Sequence, residues 1–170
     1  MAAPCYIVWA ADTSAATGPP TSVATSATSG TVKTLLQVRP PTDSQIRVIE
    51  WGYTLEAAPA APVRIELVVT GTIYATVTTI GSGVRSYTDP TGSNSTVQTG
   101  TTHTGFNASG EGTITSSRLL AYQYETGVYF KQQFPLGREP TVAADNSLRI
   151  RATPTTSVAV NIMPYIVFEA

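Results

Sequence analysis

The segment Pro62 to Thr70 reads PVRIELVVT, and its alternation constrains the fold more than any other feature of the chain. Successive side chains of a strand point to opposite faces. Val63, Ile65, Leu67 and Val69 therefore share one side, with Arg64 and Glu66 on the other. Ser147 to Ala152, SLRIRA, repeats the pattern, with Leu148 and Ile150 inward and Arg149 and Arg151 outward. The same reading predicts strands at Tyr6–Ala10, Val32–Val38, Gln45–Leu55, Thr72–Ile80, Arg118–Tyr124, Val128–Phe134 and Ser157–Phe168. Turn signals such as Thr70-Gly71, Gly81-Ser82-Gly83 and Asp145-Asn146 separate them. Pro164 interrupts the last run and cannot donate to a ladder, which predicts a bulge or an exposed edge there.

No helix is predicted. The nearest candidate, EAAPAA at 56–61, is short and broken by Pro59. About nine short strands with uneven loops predict an all-β chain, a two-sheet antiparallel sandwich of jelly-roll type. An immunoglobulin-like sandwich is the alternative, but the Cys…Trp…Cys spacing is missing. A length of 170 residues predicts one domain.

Two stretches break the strand rhythm. Residues 11–30 are nearly all Ala, Thr, Ser, Pro and Gly, and residues 81–117 are richer still in Gly, Ser and Thr. Neither carries enough apolar area to offset its own ordering entropy. The expected organisation is an N-terminal arm over 1–30 and a β-sandwich over 31–170 that carries a long loop at 81–117. Both stretches are expected to contact neighbouring chains, as in strand addition. Tyr6, Ile7, Val8 and Trp9 are the only large apolar anchors of the arm. They serve equally well as a first strand of the parent sheet.

Chemistry is scarce. The chain has one His (His103), one Cys (Cys5) and two Lys (Lys33 and Lys131), and 12% of its residues are charged. A single Cys excludes an internal disulfide and a Cys-based zinc site. Cys5 reads as a small buried hydrophobe. One His cannot build a cupin-type metal site, no calcium-loop spacing occurs, and no cofactor is expected. His103, in THTGF with Phe106, reads as a loop hydrogen-bonder or interface residue. The carboxylates, Glu50, Glu56, Glu66, Glu111, Glu125, Glu139, Asp89 and Asp145 among them, are scattered. Glu66 and Glu125 read as cross-strand partners of Arg or Lys rather than as an acid pair. No G-x-S-x-G elbow is present. The expectation is a protein that is not an enzyme.

The formal net charge is −1. It supplies no counterion release on nucleic acid and no polybasic cluster for a membrane. No run approaches a membrane span, and no basic region with an apolar stretch marks a secretory leader, so synthesis in a cytoplasm is expected. Asn94-Ser95-Thr96 and Asn107-Ala108-Ser109 match the glycosylation pattern, which arises readily by chance in such stretches. Aromatic residues remain. Tyr122 and Tyr124 share one strand face and Tyr129 falls on an outer face, where tyrosines favour subunit interfaces; a sugar platform is the competing use.

PLGREPTVAADNSLRIRATPTTSVAVNIMPYIVFEA, from Pro135 to Ala170, together with IRVIEWGYTLEAAPAAPVRIELVVTGTIYATVT and GFNASGEGTIT (Gly105 to Thr115), resembles small virion proteins of tailed phages infecting actinobacteria. The resemblance spans about two-thirds of the chain and rests on structural motifs. It implies a jelly-roll protein that decorates the capsid exterior, commonly as a homotrimer, with the phage major capsid protein as partner. The alternative is a receptor- or carbohydrate-binding module such as a tail-fibre tip.

Overall fold

The computed structural model describes residues 4–11, 21–80, 84–88 and 97–170. Among them there is no helix, and thirteen strands follow in order: β1 (Cys5–Trp9), β2 (Val23–Ala24), β3 (Lys33–Val38), β4 (Ile46–Leu55), β5 (Val63–Val69), β6 (Thr76–Thr79), β7 (Arg85–Ser86), β8 (Gly105–Gly110), β9 (Arg118–Glu125), β10 (Tyr129–Gln133), β11 (Thr141–Val142), β12 (Leu148–Pro154) and β13 (Asn161–Glu169). They form two antiparallel sheets. The first runs β10-β4-β13-β1-β7, with β11 added to β4 and β2 to β13; the second runs β6-β8-β3-β12-β5-β9. No two neighbours in either sheet are consecutive strands, so every ladder closes a long loop and folding is expected to be slow.

The core lies between the sheets, as the alternation predicts. Val63, Ile65, Leu67, Leu148 and Ile150 from one sheet meet Val8, Trp51, Tyr53, Ile166 and Phe168 from the other. Trp51, Tyr53 and Phe168 are fully buried. Phe130 packs on Trp51 and Tyr53, at ring separations of 5.1 and 5.3 Å. The polar edges of these rings are satisfied. Trp51 Nε1 donates to Gln132 at 3.0 Å, and Tyr53 OH donates to buried Glu125 at 3.0 Å. Among the described residues Glu125 therefore takes no Arg or Lys partner. It holds Tyr53 and the Gly127 N–H instead, because its side chain turns into the sandwich.

Several expectations need correction. Residues 81–117 are not loop throughout, since 105–110 form β8 between β3 and β6. Gly105 permits this close pairing: a Cβ there would strike the Thr78 carbonyl and sit 2.5 Å from Val77. The strand predicted from Thr72 begins at Thr76, and the last strand begins at Asn161 rather than Ser157. Pro164 lies buried in an interior strand, and the register shift of β13 falls at Val167/Phe168. Its carbonyl accepts from Ala10 at 3.0 Å, so its missing N–H also faces the β1 side, where β1 has just ended. The ladder tolerates proline at that point because β1 ends at Trp9 and the described chain turns away at Ala10 and Ala11. Beyond the gap β2 resumes on the same side of β13.

Candidate interaction surface

The nine interface candidates occupy four separate places. Tyr6 and Val8 point into the core, at 7% and 0% exposure. Residues 5–9 are thus an interior strand, paired with β13 and β7, rather than a free arm. Ile7 and Trp9 alternate to the outer face of the first sheet. Tyr129 joins that face, since its neighbour Phe130 is the core residue of β10. Tyr122 and Tyr124 stand on the opposite side of the molecule, exposed on β9 and edge-on to each other at 6.3 Å. Phe106 packs against the core opposite Leu36. The candidate segment at Asn94, with residues 1–3, 12–20, 81–83 and 89–96 generally, lies outside the described residues.

His103 sits in the turn before β8, where it is positioned by its backbone. Its N–H donates to Gly100 O at 3.1 Å, and its carbonyl accepts from buried Gln37 at 2.6 Å. Burial and the nearby Arg39 cation hold its pKa below the ordinary value. Arg39 itself pairs with Asp145 and lies 3.9 Å over the Tyr74 ring. This cluster ties the 97–104 segment to its own chain.

A second clasp covers the outer face of the β6–β9 sheet. Arg149 is wholly buried there. It donates to Glu111 O at 3.0 Å and Glu111 Oε2 at 3.2 Å, and also to Ile73 O. Burial pulls its pKa down to about 10, partly offset by Glu111. Glu111 also accepts from Thr34 N at 2.5 Å and Thr34 Oγ1 at 2.6 Å. Beside it Glu66 pairs across strands with Arg151, the partnership read from the sequence, and also meets Arg64 two residues back on its own strand. The described part of 81–117 is therefore pinned by side chains of its own domain.

The outer face of the first sheet is different. One cross-strand row runs Lys131, Gly52, Tyr165, Trp9, and the next runs Gln133, Glu50, Val167, Ile7, Arg85. Tyr165 lies flat over Gly52, where a Cβ would sit 2.8 Å from its ring. Trp9 packs on Tyr165 at 4.6 Å. Tyr165 OH donates to Glu50 at 2.6 Å, and Lys131 Nζ meets the other Glu50 oxygen at 3.0 Å. Burial, then this bond to Glu50, raises the Tyr165 pKa. The hydrogen bond to Glu50 raises that of Lys131. Glu50 is thereby charge-compensated by Lys131 and orients the Tyr165 ring. Tyr129 and Tyr87, 61% and 59% exposed, flank this floor. The chemistry on offer is flat aromatic and apolar contact with a compensated polar centre.

Tyr165, Gly52, Glu50 and Lys131 were not among the sequence candidates. Both sets of alternating residues on β13 are apolar, so periodicity alone gives no face for Tyr165. Compared with protein-family models, curated protein sequences and solved structures, the chain matches none at a significant level.

Proposed function

We propose that this chain is a non-enzymatic virion protein of a tailed phage, a decoration protein that binds across coat-protein subunits on the capsid exterior. One observation carries the proposal beyond the resemblance. The outer face of the first sheet carries half-buried Ile7 and Trp9 and exposed Tyr129 over a buried floor of Tyr165 and Val167, beside an internally compensated Glu50–Lys131 pair. Such a face gains area on docking without burying an unpaired charge. A chain that binds the assembled lattice and not free subunits favours the shell by mass action.

The jelly-roll reading draws support from the winding. The chain alternates between sheets at β3, β4 and β5, again from β9 to β10, and again from β12 to β13. The homotrimer implied by the resemblance is part of the proposal, with several weak contacts acting together on the lattice. The test is co-sedimentation with capsids of actinobacterial tailed phages stripped of decoration protein. Wild type should pellet saturably, and Trp9→Ala with Tyr129→Ala should not. Equal pelleting of the two would reject this face as the docking surface; no pelleting of wild type would reject the decoration reading for those capsids.

A second reading, a carbohydrate-binding module, is favoured by exposed Tyr129 and Tyr87 beside the polar Glu50–Lys131 centre. Retention on glycans from actinobacterial cell walls, lost in Tyr129→Ala, would select it.

A further inference from the structure

We infer that β9 is a self-pairing edge, which joins two copies of this chain about a two-fold axis by extending the sheet β6-β8-β3-β12-β5-β9 across both. β9 ends that sheet, and among the described residues its only ladder partner is β5. Among the described residues, no backbone bond outside that ladder reaches 118–125. A row of unpaired N–H and C=O groups is a template for another strand, and proteins ordinarily blunt such edges. The opposite edge, β6, is blunted. It has four residues, and Val77 N–H donates to Thr101 O at 2.7 Å. β9 has eight residues, with no charge, proline or glycine from Leu119 to Tyr124. A register shift near Leu119 breaks its first turn of pleat and leaves Ala121–Glu125 regular.

That regular stretch is self-complementary. Tyr122-Gln123-Tyr124 reads the same in both directions. Antiparallel pairing centred on Gln123 places Tyr122 against Tyr124 of the second copy, twice, and Gln123 against its own counterpart. Cross-strand aromatic pairs directly opposite each other stabilise a sheet. Both tyrosines project outward at 59% and 55% exposure. Arg64 lies next to Tyr124 in its row and Glu66 next to Tyr122. Each joined row therefore carries Arg64 on one side and Glu66 of the second copy on the other, and no like charges meet. Glu125 falls opposite Ala121, and its carboxylate is already turned inward to Tyr53.

Four half-exposed tyrosines bury on the order of 450 Å². The contact thus belongs to the small, reversible class of interfaces. Such a two-fold contact is isologous. It adds to any three-fold association rather than replacing it, and it does not rest on the virion reading.

The test is native mass spectrometry and light scattering of the full chain, without capsids, across a micromolar concentration series. Wild type should populate species with even numbers of chains as concentration rises. Tyr122→Lys with Tyr124→Lys should weaken that step at least tenfold, with an unchanged far-UV spectrum. Tyr129→Lys, on the other sheet, should leave it intact. Hydrogen exchange should show amides of 121–125 gaining protection with concentration in wild type only. A mass fixed at one or three chains at every concentration overturns the inference. So does undiminished pairing of the double variant.

Discussion

The outer faces of the two sheets meet the same problem, a large exposed β surface, in opposite ways. On the β6–β9 sheet, outward residues include Arg64, Glu66, Arg149 and Arg151, and a Gly-rich segment folds over part of them to bring Glu111 onto Arg149. On the other sheet, half-buried Ile7 and Trp9 and exposed Tyr129 face outward over buried Tyr165, with the Glu50–Lys131 and Arg47–Glu169 pairs on the same face. The first face spends its charges inside the chain. The second leaves apolar area exposed, which the proposed docking would use. On the proposed reading, the same domain separates the work of holding its loops from the work of docking.

The largest expected difference follows directly. Removing one partner of a buried ion pair leaves the other stranded, at a cost of about 3–5 kcal/mol. Arg149→Ala should approach that loss, because the carbonyls of Ile73 and Glu111 lose the guanidinium and the Glu111 carboxylate keeps its Thr34 donors but loses its countercharge. Chemical denaturation read by Trp fluorescence checks it. If the loss is near zero, the clasp is decorative and the comparison between faces fails.

Next comes Gly52→Ala, on the docking face. The added Cβ would meet Phe130 O at 2.6 Å and the Tyr165 ring at 2.8 Å. Neither backbone nor stacked ring yields freely, so overpacking of about 1–3 kcal/mol is expected. Capsid binding should fall with it, since the Tyr165–Trp9 floor is lifted. An Ala variant as stable as wild type would mean that the floor is not held down by close packing.

These two residues also show how far the chain can be read unaided. Arg149 was placed outward by alternation alone, and outward it is, but its burial depends on Glu111, brought in by a segment without strand character. β8 escaped detection because GFNASG alternates over only Phe106 and Ala108, too short and small a pattern inside a Gly/Ser/Thr run; its pairing is imposed by β3 and β6 on either side. A glycine followed by an aromatic, inside a small-residue run, was the available signal for close strand approach. The tyrosines on β9 were legible because they alternate with smaller residues on one strand. Tyr165 was not, since on β13 Ile162, Ile166 and Phe168 compete with Met163, Tyr165 and Val167 for either face. Gathering Ile7, Trp9, Tyr165 and Tyr129 on one surface required strand order, which no local pattern encodes.

A smaller effect is expected for Trp9→Ala. Its ring pair with Tyr165 contributes about 0.5–1.5 kcal/mol beyond area burial. Stability should fall by roughly that plus a partial hydrophobic term, while docking should be lost more completely than stability. If stability and docking fall in proportion, Trp9 is core rather than contact.

The smallest effect concerns Lys131→Ala, and its sign with pH discriminates between the faces. Lys131 is exposed, and its hydrogen bond to Glu50 raises its pKa above the ordinary 10.5. The folded state thus holds this proton more tightly than the unfolded chain. By linkage the stabilisation is fully present below the unfolded value and is lost as pH rises through the higher folded one. Wild type should therefore exceed Lys131→Ala slightly in thermal midpoint near neutrality. The gap should close above the ordinary lysine range. Added salt should narrow it too, because an exposed pair is screened. The Arg149–Glu111 pair, desolvated on the other sheet, should resist the same salt titration. If salt weakens both pairs equally, the second is open to solvent. The division between a closed face and a docking face then disappears.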